Sequence, residues 1–337
     1  MKFLLLLLAH ALTLAYGVSE SIYVGGWRNW TYSFEPLALP ADCSIEHAHG
    51  ISIDDSNNII VTYKDANDSS KCLLQWNAGD YKKTPTYLGP GKELCQGVAH
   101  GLTTTSLQDT DNEHALYHAN NEQALHKTNM NGSIIWSTLG PPVRDTNDTY
   151  SPTWIAAAPD SPYFYLADGY GSNHIYVYYK SNGTFTGNIF GGVGTEHGKF
   201  QTCHSIYWDE RVGKMAVCDR ENWRLEYFTI HKSDPSVFEY SHTHSFAPFL
   251  QRLCNIRVNT GGMGIIAALE GMVGIVNGKN DLVSVLNITD KLGHLGFLHP
   301  HDAHVLSNNS GDFVLVTWNP GRIGYFRRIA GNHGDGQ

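Results

Sequence analysis

The sequence predicts an all-β protein folded as a six-bladed β-propeller, and the main reason is a short segment that recurs six times. The six copies lie 47 to 53 residues apart along the 337-residue chain, and four of them carry a histidine at one equivalent position, here called the slot. A period near 50 residues with several strands per unit is typical of propellers. The slot residues are His49, His100, Thr153, His204, Cys254 and His301.

Each slot segment is followed by two further strand-like runs. They are rich in β-branched and aromatic residues, and Gly, Asn, Asp and Pro separate them, which is the pattern of short strands joined by turns. The second runs are 58–64, 115–119, 163–169, 214–219, 264–270 and 312–318, and the third runs are 72–76, 124–129, 174–179, 224–228, 272–277 and 321–328. No amphipathic helix of three turns is evident, so little helix is expected.

Both ends of the chain are expected to meet in the last blade. The last unit ends with its third run, and segment 21–35 has strand character. We predict that this N-terminal segment supplies the outer strand of the last blade, because ring closure removes exposed sheet edges. The predicted organisation is a single propeller over 18–329 and a C-terminal tail over 330–337.

Residues 1–17 have the pattern of a secretory signal peptide. Lys2 precedes an apolar stretch, and Ala15-Tyr16-Gly17 fits a cleavage site. The stretch is short for a membrane span. We therefore expect a protein that is secreted or resides in the lumen of the secretory pathway. Seven N-x-S/T sequons fit a glycosylated surface, at Asn29, Asn67, Asn131, Asn147, Asn182, Asn287 and Asn308.

The net charge argues against some classes of partner, and the number of cysteines limits the number of disulfides. The formal net charge of −9 argues against nucleic acid or an anionic membrane surface as a partner. In an exported protein the six cysteines allow up to three disulfides, whose pairing the sequence leaves open. They are Cys43, Cys72, Cys95, Cys203, Cys218 and Cys254.

The slot histidines of alternate blades predict a metal site. His100, His204 and His301 belong to blades 2, 4 and 6, so they would face one axis from directions about 120° apart. Three imidazoles with one open direction are the ligand set of a catalytic zinc. His49 shares the slot in blade 1, and His299 lies on the same strand face as His301. Both are candidates for a further ligand or proton carrier.

Several segments resemble those of the peptidyl-α-hydroxyglycine α-amidating lyases, which have propellers of the NHL-repeat type. Their order and spacing also match, and the blades cover most of 43–328. The segments are HGL (100–102), ADGY (167–170), CHS (203–205), DREN (219–222) and HPHD (299–302).

The resemblance implies two cofactors and the residues that hold them. Zinc would be bound by His100, His204 and His301. A structural calcium would be bound by the carboxylate of Asp302 and by two backbone carbonyls. These carbonyls belong to Ile51 and Leu102.

The implied reaction cleaves a peptidyl-α-hydroxyglycine into a peptide amide and glyoxylate, which makes the protein a carbon–nitrogen lyase. Tyr170 is the implied base, and Arg220 is an implied active-site cation. The family's second arginine corresponds here to Lys64, which keeps the charge without the bidentate fork. His299 stands where the family has methionine. No copper-binding hydroxylating domain is recognisable in the sequence, so a separate hydroxylating enzyme would supply the substrate, a small peptide ending in α-hydroxyglycine.

Two other functions stay open at this stage. The first is a non-catalytic secreted propeller that binds protein or glycan, which Lys64, His299 and the sequons motivate. The second is a calcium-dependent propeller hydrolase such as a lactonase. Such hydrolases use central carboxylates and asparagines, whereas the slots here carry histidines, so the lactonase ranks last.

Overall fold

The computed structural model describes most of the chain. It covers residues 21–89, 91–105, 114–122, 124–141, 149–159, 161–231, 234–259, 261–307 and 310–329. The predicted signal segment 1–17, the predicted tail 330–337 and the sequons at Asn147 and Asn308 lie outside these residues.

The described residues form six antiparallel sheets, the blades, and in blades 1 to 5 the strand order follows the chain. The first two strands are β1 (Ile22–Gly25) and β2 (Thr31–Pro36). Blade 1 contains β3 (Ile45–Ile53), β4 (Ile59–Asp65), β5 (Leu73–Trp76) and β6 (Thr86–Tyr87). Blade 2 contains β7 (Ala99–Thr104), β8 (Ala115–Asn120), β9 (Ala124–Asn129) and β10 (Ile134–Leu139). Blade 3 contains β11 (Trp154–Ala157), β12 (Tyr163–Ala167), β13 (His174–Tyr179) and β14 (Phe185–Gly191).

The second half of the chain repeats this arrangement. Blade 4 contains β15 (Cys203–Asp209), β16 (Lys214–Asp219), β17 (Arg224–His231) and β18 (Asp234–His244). Blade 5 contains β19 (Leu253–Val258), β20 (Gly264–Ala268), β21 (Met272–Val276) and β22 (Leu282–Asn287). Blade 6 contains β23 (Pro300–Val305), β24 (Phe313–Thr317) and β25 (Arg322–Ile329). Helices are short: α1 (Lys92–Cys95), α2 (Ile288–Leu292) and the 3-10 turns Trp27–Asn29, Arg220–Asn222 and Gly293–Leu295.

The N-terminal segment closes the ring, as predicted. Blade 6 has five strands in the order β1-β2-β25-β24-β23, and β2 pairs antiparallel with β25 from Thr31 to Pro36. The segment adds two strands, one more than the outer strand expected. The first strand of each blade contacts the first strands of its neighbours, and β23 contacts β3. All six first strands therefore surround one central channel.

The hydrophobic core lies between neighbouring blades. The residues two places after the slot are buried there, as in Ile51, Leu102 and Ile206. Fully burying such a side chain contributes about 1.5–3 kcal/mol. Aromatic pairs fill the remaining space, for example Phe313 stacked on Phe326 with ring centroids 4.5 Å apart. The slot segment thus serves two purposes, because one residue faces the channel and another anchors the blade.

One of the three disulfides that the sequence allowed is present. Cys72 and Cys95 are bonded and join the start of β5 to the end of α1. The other four cysteines are free thiols, at Cys43, Cys203, Cys218 and Cys254. In the described part of the chain, no helix has the length and apolar character needed to cross a membrane.

Candidate metal centre and active site

The four slot histidines meet at one end of the channel. All are buried, and the ring centroids of His100, His204 and His301 lie 4.7 to 5.2 Å apart. His49 lies beside them, 4.6 Å from the ring of His100 and 4.9 Å from that of His301. The structure therefore brings the predicted triad together and adds His49 to it.

A local irregularity of the first strands explains how they present so many side chains to the channel. In five of the six blades the pairing between first and second strands shifts register at or next to the slot. Such a bulge lets two consecutive residues face the same side. In blade 6, His301 therefore reaches His204, and Asp302 reaches Ile51 and Asn255 across the channel.

Glycine follows the slot in blades 1 and 2 because neighbouring strands approach closely there. A Cβ on Gly50 would lie 2.7 Å from the carbonyl oxygen of His100. A Cβ on Gly101 would overlap the backbone of Thr153 and Trp154. The His-Gly pairs of the sequence thus combine an imidazole that faces the channel with a backbone contact that leaves no room for a side chain.

The backbone of the following blade orients each histidine of the triad. The Nδ1–H of each ring donates to the carbonyl oxygen of the next slot residue around the ring of blades. The pairs are His100 with Thr153 (2.7 Å), His204 with Cys254 (2.7 Å) and His301 with His49 (2.9 Å). A carbonyl can only accept, so Nδ1 carries the proton and Nε2 keeps its lone pair. Such a second contact is what orients histidine ligands at metal sites.

The Nε2 atoms face one another in a way that suits a cation. Those of His204 and His301 lie 3.1 Å apart, and that of His100 is buried without a hydrogen-bond partner among the described residues. Two tetrahedral zinc ligands with bonds of 2.0–2.1 Å have nitrogens about 3.3 Å apart. Two unprotonated nitrogens this close repel each other unless a positive charge lies between them. The spacing of His204 and His301 therefore matches that of two ligands of one zinc ion.

His49 gives the site a second possible triad. One set of three imidazole nitrogens, one each from His49, His100 and His301, has every pair within 4.8 Å. However, His204 has the shortest contact to His301. The Nδ1 atom of His49 is buried without a hydrogen-bond partner among the described residues, as is the Nε2 atom of His100, so His49 stays a candidate for a further ligand.

Burial keeps all four rings neutral. It lowers the pKa of His49, His100 and His204 well below the ordinary value, and it lowers that of His301 to about 3. Mutual repulsion between the rings lowers the pKa of His49, His100 and His204 further. Metal binding requires neutral imidazole, so the site does not have to lose protons at neutral pH before it binds an ion.

Tyr170 and Arg220 lie next to the histidine cluster, and each belongs to a turn above the end of the channel. Tyr170 follows β12, and its hydroxyl lies 3.0 Å from Nε2 of His204. Arg220 donates to the same hydroxyl over 3.2 Å, with its guanidinium 5.3 Å from the ring centroid. Burial raises the pKa of Tyr170 to about 12, and the charge of Arg220 acts in the opposite direction. In the metal-free protein the hydroxyl is therefore protonated.

Buried aspartates shape these two turns. Asp168 accepts hydrogen bonds from the backbone of Ser151 and from Ser172. Asp219 accepts from the backbone of Gln201 and forms an ion pair with Arg224. The turns that carry Tyr170 and Arg220 are held by these contacts.

Lys64 and His299 lie at the rim of the site. The Nζ of Lys64 pairs with the Glu46 carboxylate at 2.9 Å. The Nδ1 of His299 lies 3.2 Å from the carbonyl oxygen of Leu269, and its ring is 6.2 Å from that of Trp318. Among the described contacts, neither side chain bonds to the histidine cluster or to Tyr170.

The residues assigned to calcium by resemblance do not fit that ion in this chain. Asp302 is buried and accepts from the backbone N–H of Ile51 at 2.7 Å. The guanidinium of Arg257 donates to the carbonyl of Leu102 at 2.7 Å and to that of Ile51 at 3.4 Å. A cation from the chain itself thus occupies the position where calcium was expected. Sequence reasoning missed Arg257, whose only signal was a charged residue three places after a slot.

The opposite end of the channel opens into a cavity of about 430 Å³. Its lining comes from the ends of the first strands rather than from their slots, and it includes Ser52, Thr103, Tyr207, Arg257 and His304. The histidine cluster therefore lies at one mouth of the channel and this cavity at the other, with Arg257 between them.

Comparisons with known proteins support the fold. No family model matches the chain. It is similar to a putative gluconolactonase (13% identity, TM-score 0.60, 88% of this chain and 92% of that chain). It is also similar to a gluconolactonase from Xanthomonas campestris (9%, 0.59, 93% and 96%) and to a catalytically inactive virginiamycin B lyase from Staphylococcus aureus with quinupristin (14%, 0.55, 88% and 100%). At these identities the likeness shows the fold alone, a six-bladed β-propeller that named enzymes also adopt.

Proposed function

We propose that this protein is a zinc-dependent lyase that cleaves peptidyl-α-hydroxyglycine to a peptide amide and glyoxylate. The observation that carries the proposal is the position of the Tyr170 hydroxyl, which lies 3.0 Å from Nε2 of His204 and 3.2 Å from Arg220. A proton-transferring phenol beside an anchored histidine triad is the arrangement that this reaction needs.

His100, His204 and His301 would hold the zinc through their Nε2 atoms. When bound, the ion supplies a Lewis acid that lowers the pKa of the substrate hydroxyl. The protein's part is to keep the three lone pairs directed to one point, which the backbone carbonyls of the following blades do.

Tyr170 would remove the proton of the substrate hydroxyl. The C–N bond then breaks, the hydroxyl oxygen becomes the aldehyde oxygen of glyoxylate, and the departing amide nitrogen takes up a proton. Burial outweighs the lowering effect of Arg220 and leaves the pKa of Tyr170 at about 12. To act as a base near neutral pH, the tyrosine would therefore need the further positive charge of a bound zinc ion.

The rim residues would set the preference for the peptide. Arginine binds a carboxylate through two parallel hydrogen bonds, whereas Lys64 offers a single ammonium that Glu46 already contacts. Substrate recognition at blade 1 is therefore weaker or different from that of an arginine-bearing site.

The remaining parts of the proposal concern supply and location. A separate hydroxylating enzyme would form the α-hydroxyglycine, and the protein would act outside the cell or in the secretory lumen. The Cys72–Cys95 disulfide fits such an oxidising compartment. Four sequon asparagines are exposed, which suits glycosylation: Asn67, Asn131, Asn182 and Asn287.

The experiment measures glyoxylate released from a peptide that ends in α-hydroxyglycine, together with the zinc content. The wild type is expected to turn over with one zinc per chain. Tyr170→Phe should lose at least about a hundredfold in kcat and keep its zinc. Tyr179→Phe is the matched control, because Tyr179 has nearly the same exposure (39% against 38%) and lies far along β13. Unchanged turnover in Tyr170→Phe would refute the assignment.

A second function is favoured by one observation. Lys64 is engaged by Glu46 at 2.9 Å instead of reaching the site. A propeller that lacks a catalytic cation in blade 1 could serve as a secreted glycoprotein that binds protein or glycan. This alternative predicts no glyoxylate release even from the zinc-loaded protein.

A further inference from the structure

We propose that the guanidinium of Arg257 is a built-in cation that takes the place of calcium in the channel. The chain would then bind no calcium between its blades, and its stability would not depend on that ion. This inference concerns the channel beyond the histidine cluster and does not rest on the proposed lyase activity.

The first argument concerns which group donates to two backbone carbonyls in the channel. Those of Ile51 and Leu102 point into the channel, towards the side chain of Arg257. A buried carbonyl requires a donor or a cation. The terminal nitrogen of Arg257 reaches both, at 2.7 Å from Leu102 and 3.4 Å from Ile51. Arg257 therefore supplies both carbonyls with a donor, and no ion is needed.

The second argument is charge balance. Arg257 is 4% exposed and Asp302 is fully buried. One guanidinium and one carboxylate make a neutral pair in a low-dielectric interior. A calcium ion bound beside Arg257 would bring the net charge of this group to plus two, and an unbalanced buried charge is costly. Calcium and Arg257 are therefore alternatives.

The third argument is that the guanidinium is held firmly. Its central carbon lies 5.3 Å from the ring centroid of Trp154 and 5.7 Å from that of Tyr207. These distances are typical of cation–π contacts, in which arginine is the commonest cation. The two rings come from blades 3 and 4, so Arg257 joins four neighbouring blades together with the carbonyls of blades 1 and 2.

The remaining ligands also argue against calcium. The ion prefers six to eight oxygens at 2.3–2.6 Å. Near Asp302 the channel instead offers the amide nitrogen of Asn255, which donates to that carboxylate. Each oxygen of the carboxylate thus already accepts one N–H, Oδ2 from the backbone of Ile51 and Oδ1 from the side chain of Asn255.

The test uses the full protein stripped of metals with EDTA, to which zinc, calcium or both are then added. Bound calcium is measured by elemental analysis after dialysis, and the melting temperature Tm is measured in each condition. For the wild type we expect no stoichiometric calcium and the same Tm with and without millimolar calcium. One calcium per wild-type chain, or a Tm that rises with calcium, would overturn the proposal.

The variant Arg257→Ala tests the replacement directly. It leaves Asp302 and the two carbonyls without a cation, so it should melt at a lower temperature and regain several degrees when calcium is added. Arg327→Ala, which removes an exposed arginine that pairs with Glu35, is the control and should show no calcium response. A folded Arg257→Ala protein indifferent to calcium would contradict the proposal. If that variant does not fold, the wild-type measurements decide alone.

Discussion

The choice of zinc ligands can be tested by replacing His204 and His49 separately with glutamine. Both rings are buried next to the pair His100 and His301, but only His204 has its Nδ1 fixed to a backbone carbonyl and its Nε2 3.1 Å from that of His301. We expect His204→Gln to weaken zinc binding strongly and His49→Gln to weaken it little.

The magnitude follows from the number of ligands. Structural zinc sites with four protein ligands bind with roughly 10–16 kcal/mol, or about 3 kcal/mol per ligand. Losing one ligand should therefore raise the zinc dissociation constant about a hundredfold. The side chain of His49 does not anchor another ligand, because it is its carbonyl that holds His301. Its replacement should change the constant by about tenfold or less.

The assay is competition for zinc with a chromophoric chelator at fixed pH. Circular dichroism and Tm confirm that each variant is folded, and glutamine limits the cavity that alanine would leave. A greater loss of zinc affinity in His49→Gln than in His204→Gln would refute this reasoning. The ion would then be bound by His49, His100 and His301, whose ligand nitrogens all lie within 4.8 Å of one another.

Three further predictions concern stability. Replacing Cys72 and Cys95 by serine opens a loop that spans 23 positions and should lower the free energy of unfolding by about 3 kcal/mol. Urea titrations measure this difference, and equal values in wild type and variant would mean that the disulfide does not stabilise the fold. The folded protein keeps His118 neutral with a pKa of about 3, while the unfolded chain takes up that proton below pH 6.5, so stability should fall on acidification from pH 6.5 towards 3. His118→Gln should make that fall shallower by up to about 1.4 kcal/mol per pH unit, and an identical pH profile would contradict this. Gly101→Ala should cost about 1–3 kcal/mol because its Cβ meets the backbone of Trp154, and a Tm equal to that of wild type would show that the strands can separate.

Periodicity in the sequence was enough to predict the blades and their closure. The slot repeats every 47–53 residues, and each repeat carries an apolar residue two places later, so the number of blades and the inward residue of each could be read directly. The strand character of 21–35 predicted the closing strand, but not that the segment would turn back at Trp27–Asn29 and add β1. That turn depends on packing against β22, which lies far away in sequence.

The parts of the site that were missed depend on contacts between blades. A residue three places after a slot can lie on either face of the strand, depending on the bulge. A bulge has no simple sequence signature. Arg257 therefore looked like an ordinary strand residue until its guanidinium was found on the carbonyl of Leu102. The pairing of Lys64 with Glu46 was missed for a different reason, because it is a contact between two neighbouring strands, β4 and β3, of blade 1.

The unequal use of odd and even slots now has a physical explanation. Even blades contribute imidazole rings, whereas odd blades contribute the carbonyl oxygens that orient those rings. A carbonyl is the same for every residue type, so an odd slot can hold threonine in blade 3 and cysteine in blade 5 without disturbing the ligands. The histidine in blade 1 supplies the same kind of carbonyl oxygen as the threonine in blade 3 and the cysteine in blade 5. Its side chain is therefore free to take a separate role beside the triad, and the comparison of His49→Gln with His204→Gln is the experiment that tests whether that role is to bind the proposed zinc.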